Sequence, residues 1–214
     1  MISEVFLQDC MEGMKTYPDK YFDLAVVDPP YGIGAGGKRF MNGTSKAENN
    51  IYKDVDWDIK PDVRYFNELL RVSKNQIIWG ANHFISRMPY DSSCWIFWDK
   101  GTGNNSYADG ELAWTSFDKT VRKFIKSWVG ANAKDGIERV HPTQKPISLY
   151  DWLFKNYLPE GGKVLDTHLG SGSNRIAADK SGNIDFTGYE IDKDYYEAQE
   201  KRWKNYKAQL TMFA

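Results

Sequence analysis

Short apolar runs of strand length alternate with helix-forming stretches in the second half of the chain, and several of these runs end on an acidic residue. The stretch KVLD over 163–166 and the stretch DFTGYEI over 185–191 are typical of strands, and each precedes a stretch of helical composition. An earlier run, FDLAVVD over 22–28, is apolar enough for a strand covered on both faces. Because strands that alternate with helices form parallel sheets, the sequence predicts an α/β fold with a doubly wound, mostly parallel sheet.

The remaining elements follow from the same patterns. Further strands are expected near 5–8, 76–80, 94–99, 111–117 and 121–128, and helices near 10–17, 147–158, 172–181 and 193–210. Pro61 is expected to begin a helix whose apolar face holds Val63, Phe66, Leu69 and Leu70. Stretch 32–60 is predicted to be a long loop. Since no repeat or linker is visible, residues 1–214 are expected to form one domain.

Charge restricts the choice of partners. The formal net charge is −1, which argues against a protein that coats nucleic acid with a broadly basic surface. Residues 115–134 nevertheless hold five basic side chains against the single acid Asp118. This strip fits either a polyanion contact or an ordinary solvated face.

The cysteines and histidines indicate which cellular compartment and which metal content to expect. The two cysteines, Cys10 and Cys94, offer no disulfide framework, which fits a reducing cytoplasm. They and the three histidines show no metal-ligand spacing, so no metal is expected. No apolar run approaches a membrane span, and the first residues lack a signal-peptide pattern. A cytoplasmic protein with no membrane contact is therefore predicted.

Two glycine-rich stretches follow predicted strands. Gly32, Gly34 and Gly37 fit the pattern G-x-G-x-x-G, but the residues after them are a poor helix start, so we interpret this match as accidental. The second stretch, from Asp166, has strand, turn and helix in order, and Glu190 ends the next strand, where an acid can hold ribose hydroxyls. A tight turn with two acids and no basic residue favours a nucleoside-type cofactor without phosphate, such as S-adenosylmethionine. A plain strand–helix turn is the alternative.

Four ordered motifs resemble one enzyme family. DPPY at 28–31, HPTQKP at 141–146, DTHLGSGS at 166–173 and GYEID at 188–192 together resemble the S-adenosylmethionine-dependent amino-methyltransferases of DNA. DPPY lies near the N-terminus and the cofactor turn near the C-terminus, which is the circularly permuted order of the β group of these enzymes. The resemblance implies a Rossmann-like class I methyltransferase fold. In such a fold the Asp28 and Asp166 strand tips are neighbours at the switch point of the sheet.

The sequence departs from the family pattern at the cofactor turn and at the N-terminus. Thr167 and His168 follow Asp166 where the family more often has Pro-Phe, Ser173 replaces a common threonine, and Gln8 replaces a common glycine. We expect His168 to be a tolerated loop residue rather than a catalytic base.

The DPPY motif suits the methylation of an exocyclic amine. Such an amine is a weak nucleophile, because its lone pair is delocalised into the base. The Asp28 carboxylate and the Pro29 carbonyl are expected to accept its two N–H bonds, with Tyr31 stacked on the base. A strand-end turn is the alternative for this motif. The predicted catalytic residues are Asp28, Pro29, Pro30 and Tyr31.

The resemblance also implies cofactor and DNA contacts. The base must be flipped out of the duplex to reach such a site. The predicted cofactor-binding residues are Asp9, Cys10, Asp28, Thr143, Lys145, Asp166, Leu169, Gly170, Ser171, Gly172, Asn174, Glu190 and Ile191. The predicted DNA-binding residues are Lys38, Arg39, Lys119, Arg122, Lys123 and Lys126, with Phe124 and Trp128 as interleaved aromatics, whereas Trp79, Trp95 and Trp98 are expected in the core.

Methylation of N6 of adenine is the favoured reaction, because cytosine enzymes of the family more often have serine at the first position of DPPY. The alternatives are an N4-cytosine methyltransferase, a nicotinamide oxidoreductase that uses the first glycine stretch, and a catalytically silent DNA-binding relative. The segment at about 116–140 is expected to recognise the target. Because it is short, we expect either a short target sequence or a second subunit, as in a homodimer. Restriction–modification, phage and solitary regulatory roles all stay open.

Overall fold

The computed structural model describes residues 2–33, 58–102, 108–128 and 139–212. The strands are β1 (Ser3–Leu7), β2 (Phe22–Val27), β3 (Ser73–Trp79), β4 (Trp95–Asp99), β5 (Gly110–Thr115), β6 (Arg122–Ile125), β7 (Lys163–Asp166) and β8 (Asp185–Glu190). The helices are α1 (Cys10–Met14), α2 (Val63–Val72), α3 (Ile147–Tyr157), α4 (Ser173–Ser181) and α5 (Lys193–Met212).

The described strands form one sheet in the order β1-β8-β7-β2-β3-β5-β4-β6. Among them only β5 runs antiparallel to its neighbours. From β2 the chain proceeds outwards to β3 on one side, and it later returns to β7 on the other side. The sheet is therefore wound in two directions from the β7–β2 junction, which confirms the predicted doubly wound, mostly parallel architecture.

The order of the elements explains the permuted motifs. Strand β1 pairs in parallel with β8, with Leu7 opposite Glu190. The last helix, α5, follows β8, and Asp192 caps it by accepting hydrogen bonds from the backbone N–H groups of Asp194 and Tyr195. The first strand therefore pairs with the strand that precedes the last helix, and the permuted order leaves the sheet intact.

Helices cover both faces of the sheet. One face carries α3 and α4, whose Leu153 and Ile176 are buried against the strands. The opposite face carries α1 and α2, where Met14, Phe66 and Leu69 are buried. Burial on both faces explains why the central strands are apolar throughout rather than alternating.

Helix α2 differs in detail from the sequence prediction. It begins at Val63 rather than at Pro61, because the Asp62 side chain accepts hydrogen bonds from the first backbone N–H groups. Val63 is exposed, and Tyr65 and Val72 take part in the buried face instead. The helix continues directly into β3, which begins at Ser73.

Two of the three tryptophans expected in the core, Trp79 and Trp98, are fully buried, and Trp95 is partly buried. Trp128, which we interpreted as a DNA-stacking residue, is buried as well, and its indole N–H donates to the Gln144 carbonyl at 2.6 Å. That interpretation was wrong, because the ring packs into the core. Within the described ranges, no helix has the combination of length and hydrophobicity needed to cross a membrane.

Candidate active site

The two predicted strand tips lie side by side. Strands β2 and β7 pair in parallel, with Leu24 opposite Val164 and Ala25 opposite Leu165. This register brings the two carboxyl ends, which lead to Asp28 and Asp166, to one edge of the sheet. Asn174 links them, since its side-chain amide donates to the Val26 carbonyl at 3.2 Å and to Asp166 Oδ2 at 3.1 Å. The predicted neighbourhood of the two tips is confirmed.

The glycine-rich turn after β7 depends on left-handed backbone. Gly170 has φ +51° and Gly172 has φ +71°, values that a residue with a Cβ rarely adopts. The turn is fixed by the hydrogen bond from the Leu169 N–H to the Tyr189 carbonyl at 2.9 Å. Ser171 is buried, and its hydroxyl lies 3.1 Å from that of Ser173.

A buried arginine supports this turn from behind. Arg202, on α5, donates to the Ser171 carbonyl at 2.6 Å and to the Ser173 hydroxyl at 3.0 Å. Sequence reasoning missed this residue, because Arg202 lies some thirty positions along the chain in a helix of mixed charge. Because Arg202 binds the backbone of the turn, it stabilises the turn from the side that faces α5.

Asp166 is a buried carboxylate whose hydrogen-bond donors among the described residues are neutral. Its Oδ2 accepts from the Asn174 amide, and its Oδ1 accepts from the His168 backbone N–H at 3.1 Å. Burial raises the pKa of Asp166 to about 7, and the negative charges of Asp28 and Glu190 add to the increase, although the two hydrogen bonds oppose it. A cation placed beside Asp166 would therefore be strongly favoured.

His168 lies beside this carboxylate but is itself uncharged at neutral pH. Burial lowers the pKa of His168 to about 4. Its Nδ1 lies 2.9 Å from the Thr167 hydroxyl, and its ring packs edge-on against Tyr65. These contacts give the side chain a packing role beneath the turn.

A third acid, Glu190, ends the neighbouring strand β8. Its Oε2 accepts from the Gly170 N–H at 2.8 Å, so the carboxylate is tied to the glycine turn. Its other oxygen accepts from the Asp192 N–H at 3.0 Å. Burial raises the pKa of Glu190, although the backbone donors oppose this shift. Ile191 follows with an exposed side chain.

Asp9 and Cys10 lie at the same edge, after β1. The Asp9 carboxylate caps α1 by accepting from the Met11 N–H at 2.7 Å. Cys10 is partly buried, and burial raises the pKa of its thiol to about 12, with the Asp9 and Asp166 charges adding to the shift. The thiol therefore stays protonated at neutral pH and offers packing surface rather than a nucleophile.

Both oxygens of Asp28 are occupied by side chains of the protein. Oδ1 accepts a hydrogen bond from the Tyr31 hydroxyl at 2.5 Å, and Oδ2 accepts from the Lys145 ammonium. Burial raises the pKa of Tyr31 well above its ordinary value, and the Asp28 and Glu111 charges add to the increase. The phenol therefore stays a donor. Pro29 is buried and Pro30 is partly buried.

The Tyr31 ring is held against a turn that requires glycine. It stacks on His83 with ring centroids 5.0 Å apart and an interplanar angle of 19°. Gly80 has φ +69°, and a Cβ there would lie 2.0 Å from Tyr31 Cε1. The position of the ring therefore depends on residues after β3 that no motif in the sequence marked.

The HPTQKP segment spans the distance between the two tips. At one end, His141 lies beside Gly170 and packs on Tyr195 with ring centroids 4.2 Å apart. At the other end, Lys145 reaches Asp28. Thr143, between them, is exposed, and its hydroxyl lies 3.1 Å from His141 Nδ1. Burial lowers the pKa of His141 to about 3, and the charges of Lys145 and Arg139 add to the decrease.

Lys145 also forms an ion pair with a residue that sequence reasoning missed. Its ammonium lies 3.1 Å from Glu111 Oε2, and Glu111 in turn pairs with Lys100 at 2.6 Å. Burial lowers the pKa of Lys145, but Asp28 and Glu111 outweigh this effect and leave the pKa above its ordinary value. No sequence pattern would have found Glu111, because it is the second residue of an otherwise apolar strand, β5, that is remote from every motif.

The predicted DNA-binding residues that the structure describes lie at or near β6, the edge strand on the β3 side of the sheet. Strand β6 is separated from β2 by β3, β5 and β4, which places it about 19 Å from β2. Arg122 and Lys123 on β6 are exposed, and Lys126 follows its carboxyl end, which points the same way as that of β2. Lys119 instead donates to the Asn156 carbonyl at the end of α3.

Several predicted residues lie outside the described part of the chain. They include Lys38, Arg39, Gly34, Gly37 and most of the second half of the expected recognition segment. Phe124, in the described half of that segment, is partly buried and contacts Trp152. Among the described residues, no cluster of histidine, cysteine or acidic side chains could hold a metal ion.

Comparison with known proteins relates this geometry to characterised folds. The chain is 25% identical over 218 residues to the protein named "Putative methylase YubD" of Escherichia coli K12, covering 92% of this chain and 88% of that protein. The structure of an M1.HpyAVI–SAM complex matches with a TM-score of 0.57 and 20% identity, covering 95% of this chain and 99% of the other. The cytosine-N4-specific PvuII DNA methyltransferase matches with a TM-score of 0.61 and 12% identity, covering 95% and 86%.

These structural matches establish a Rossmann-like class I methyltransferase fold. The model of a protein family described as DNA methylase matches residues 73–201, which is more than half of the chain. That range includes β7, the glycine turn, the HPTQKP segment and Glu190. The chain therefore belongs to the N6/N4 DNA methylase family.

Proposed function

We propose that this protein transfers a methyl group from S-adenosylmethionine to the exocyclic N6 of adenine in DNA. The observation that carries the proposal is the pairing of β2 with β7, which brings the DPPY tip and the glycine turn to one edge of the sheet. The DPPY tip suits the amine that accepts the methyl group, and the glycine turn suits the methyl donor. A methyl transfer needs both the acceptor and the donor, and neither tip alone holds the two.

The residues around the glycine turn fit S-adenosylmethionine chemically. Asp28, Asp166 and Glu190 share this edge, and the mutual repulsion of their charges contributes to the raised pKa of Asp166. A cofactor that carries a sulfonium and an ammonium group would relieve that repulsion. Asn174 Oδ1 is buried and has no hydrogen-bond donor among the described residues, so it offers a ready acceptor. The absence of a cation inside the turn agrees with a cofactor that lacks phosphate.

At the other tip, the protein's task is to orient the amine. In the proposed complex the adenine amine replaces the Tyr31 hydroxyl on Oδ1, because this hydroxyl is the neutral one of the two present partners of Asp28. Asp28 and the Pro29 carbonyl would then accept the two N–H bonds and favour a pyramidal nitrogen. The nitrogen lone pair forms the new bond to the methyl carbon, the carbon–sulfur bond breaks, and its electrons stay on sulfur. The positive charge that develops on nitrogen is adjacent to the Asp28 carboxylate, which can accept the surplus proton.

The acceptor is proposed to be a flipped or single-stranded base in DNA. A base stacked in a duplex cannot reach a strand tip at the edge of a sheet. Arg122 and Lys123 are exposed on β6, about 19 Å from β2, and the partly buried Lys126 follows this strand. These three cations are the proposed contacts of the DNA backbone. Tyr31 supplies the aromatic ring beside the base.

Adenine is favoured over cytosine by the Asp28 at the first position of DPPY. N4 of cytosine is the second candidate, because an N4-cytosine enzyme shares this fold. Both amines present two N–H bonds, so the described geometry at Asp28 would serve either one.

The test is methyl transfer from tritiated S-adenosylmethionine to unmodified genomic DNA, followed by nucleoside analysis. We expect N6-methyladenine from the wild type and none from Asp28→Ala, with cofactor binding retained by the variant in calorimetry. N4-methylcytosine as the sole product would replace adenine by cytosine. Binding of NADH without binding of S-adenosylmethionine would reject the proposed reaction altogether.

A further inference from the structure

The ion pair between Glu111 and Lys145 lies immediately behind the Asp28 carboxylate. Lys145 is only 3% exposed, and its ammonium contacts Asp28 Oδ2, Glu111 Oε2 at 3.1 Å and the Tyr31 hydroxyl at 3.5 Å. It also lies 5.5 Å from the centre of the Trp79 ring. A charged group buried this deeply stays in place only when its partners compensate it.

Glu111 reaches this position from the antiparallel strand β5. Its Oε1 pairs with Lys100 at 2.6 Å. Its Oε2 is buried, and it meets Lys145 as an ion pair rather than as a well-aligned hydrogen bond. Burial would raise the pKa of Glu111, but Lys145 and Lys100 outweigh that effect and lower it. The four side chains Asp28, Lys145, Glu111 and Lys100 thus alternate in charge.

This alternation matters for a reaction in which positive charge develops on nitrogen. An uncompensated ammonium beside Asp28 would repel the developing charge and would compete with the amine for the carboxylate. The Glu111 carboxylate, on the opposite side of the Lys145 ammonium from Asp28, reduces both effects. It also attracts Lys145 towards β5, in a position from which the ammonium still contacts Asp28 Oδ2.

We propose that Glu111 is a positioning residue for methyl transfer, which acts through Lys145 by compensating its charge and fixing its place behind Asp28. This inference rests on the proposed function, because it assumes that Asp28 orients an amine. Glu111 touches neither the expected base nor the expected methyl donor. Its effect on the rate must therefore depend on the presence of Lys145.

The experiment is a double-mutant cycle on the single-turnover rate of methyl transfer to unmodified genomic DNA. The variants are Glu111→Gln, Lys145→Met and the two combined. We expect Glu111→Gln to lower the rate about tenfold in the wild-type background and by less than about twofold in the Lys145→Met background. Glu111→Asp, which keeps the charge on a shorter side chain, is expected to recover part of the rate.

Glu68→Gln is the matched control. Glu68 pairs with Arg71 at 2.7 Å and is 19% exposed, against 23% for Glu111, but it lies on α2 away from both tips. Its replacement should leave the rate unchanged. If Glu111→Gln fails to fold in thermal denaturation, Glu111→Met, which also removes the charge, takes its place in the cycle, and Glu111→Asp remains the charge-retaining comparison.

The outcomes separate the two proposals. A wild-type rate in Glu111→Gln, or an equal loss of rate in both backgrounds, would reject the role of Glu111 while leaving the proposed function standing. No methyl transfer by the wild-type protein would remove the proposed function and this inference together.

Discussion

Asp28 and Asp166 follow neighbouring strands, yet the protein surrounds them differently. Asp28 has a cation from the protein itself, Lys145, and a hydroxyl from Tyr31. Within the described part of the chain, Asp166 has an amide and a backbone N–H as its donors, and burial raises its pKa to about 7. A carboxylate with its own counter-charge is ready for a neutral ligand such as an amine, whereas one without a counter-charge is suited to a cationic ligand. Under the proposed function, this difference in partners supports an acceptor side at Asp28 and a methyl-donor side at Asp166.

The largest effect is expected from Asp28→Asn. The amide keeps the size of the side chain but loses the charge that faces the developing cation, and its NH₂ group opposes the Lys145 ammonium. We expect the single-turnover rate of methyl transfer to fall about 10²- to 10⁴-fold, while the affinity for S-adenosylmethionine changes by less than about threefold. A loss of cofactor affinity as large as the loss of rate would contradict the separation of roles between the two tips.

Asp166 should instead control the pH dependence of cofactor binding. Its pKa of about 7 lies above the ordinary value of 3.8, so the carboxyl holds a proton at pH 6 that a cationic ligand must displace. Affinity for S-adenosylmethionine is therefore expected to increase about tenfold from pH 6 to pH 8 and to level off above that. Calorimetry at both pH values measures the change.

Asp166→Asn provides the comparison for this titration. An amide cannot ionise, so the variant should bind the cofactor weakly at both pH values and should lose the pH dependence. Asp62→Asn is a suitable control, since Asp62 is an exposed helix cap whose pKa is lowered, first by its hydrogen bond to Arg64. If Asp166→Asn retains the tenfold increase, another group is responsible.

The sequence predicted the two tips but not their partners, for a physical reason. Strand tips follow from local hydrophobic patterns and from the strand order that alternating elements require. The partners come from residues far along the chain: Lys145 is 117 positions from Asp28, and Arg202 is 31 positions from Ser171. Only tertiary packing decides that these charged side chains point inwards. The same limit explains the wrong interpretation of Trp128, because the local sequence around this residue does not show that its ring is buried.

Gly80→Ala should disturb the acceptor side alone. The added methyl group would lie 2.0 Å from the Tyr31 ring, and alanine at φ +69° costs about 1–2 kcal/mol of folding free energy. We expect a comparable loss in chemical denaturation and about a tenfold lower methyl-transfer rate, with cofactor affinity retained.

Gly101→Ala separates the effect of backbone strain from the effect of displacing the Tyr31 ring. Gly101 has φ +59°, but a Cβ there would meet no atom of the described residues within 4 Å. This variant should lose no more stability than Gly80→Ala, because it has the backbone strain without the clash, and it should not lose rate. Equal losses of rate in the two variants would mean that the position of Tyr31 is unimportant.

The smallest effect is expected from Tyr31→Phe. Phenylalanine keeps the ring that stacks on His83 but removes the hydroxyl that donates to Asp28 Oδ1. Because the incoming amine is proposed to displace that hydroxyl, its removal takes away both a stabilising hydrogen bond and a competitor for the carboxylate. The two effects oppose each other, so the rate should change by less than about threefold and the apparent affinity for DNA should stay equal or increase. A loss of about a hundredfold or more in the single-turnover rate would show that the hydroxyl takes part in the transfer itself, and the acceptor side would then need a donor beside Asp28 as well as the carboxylate.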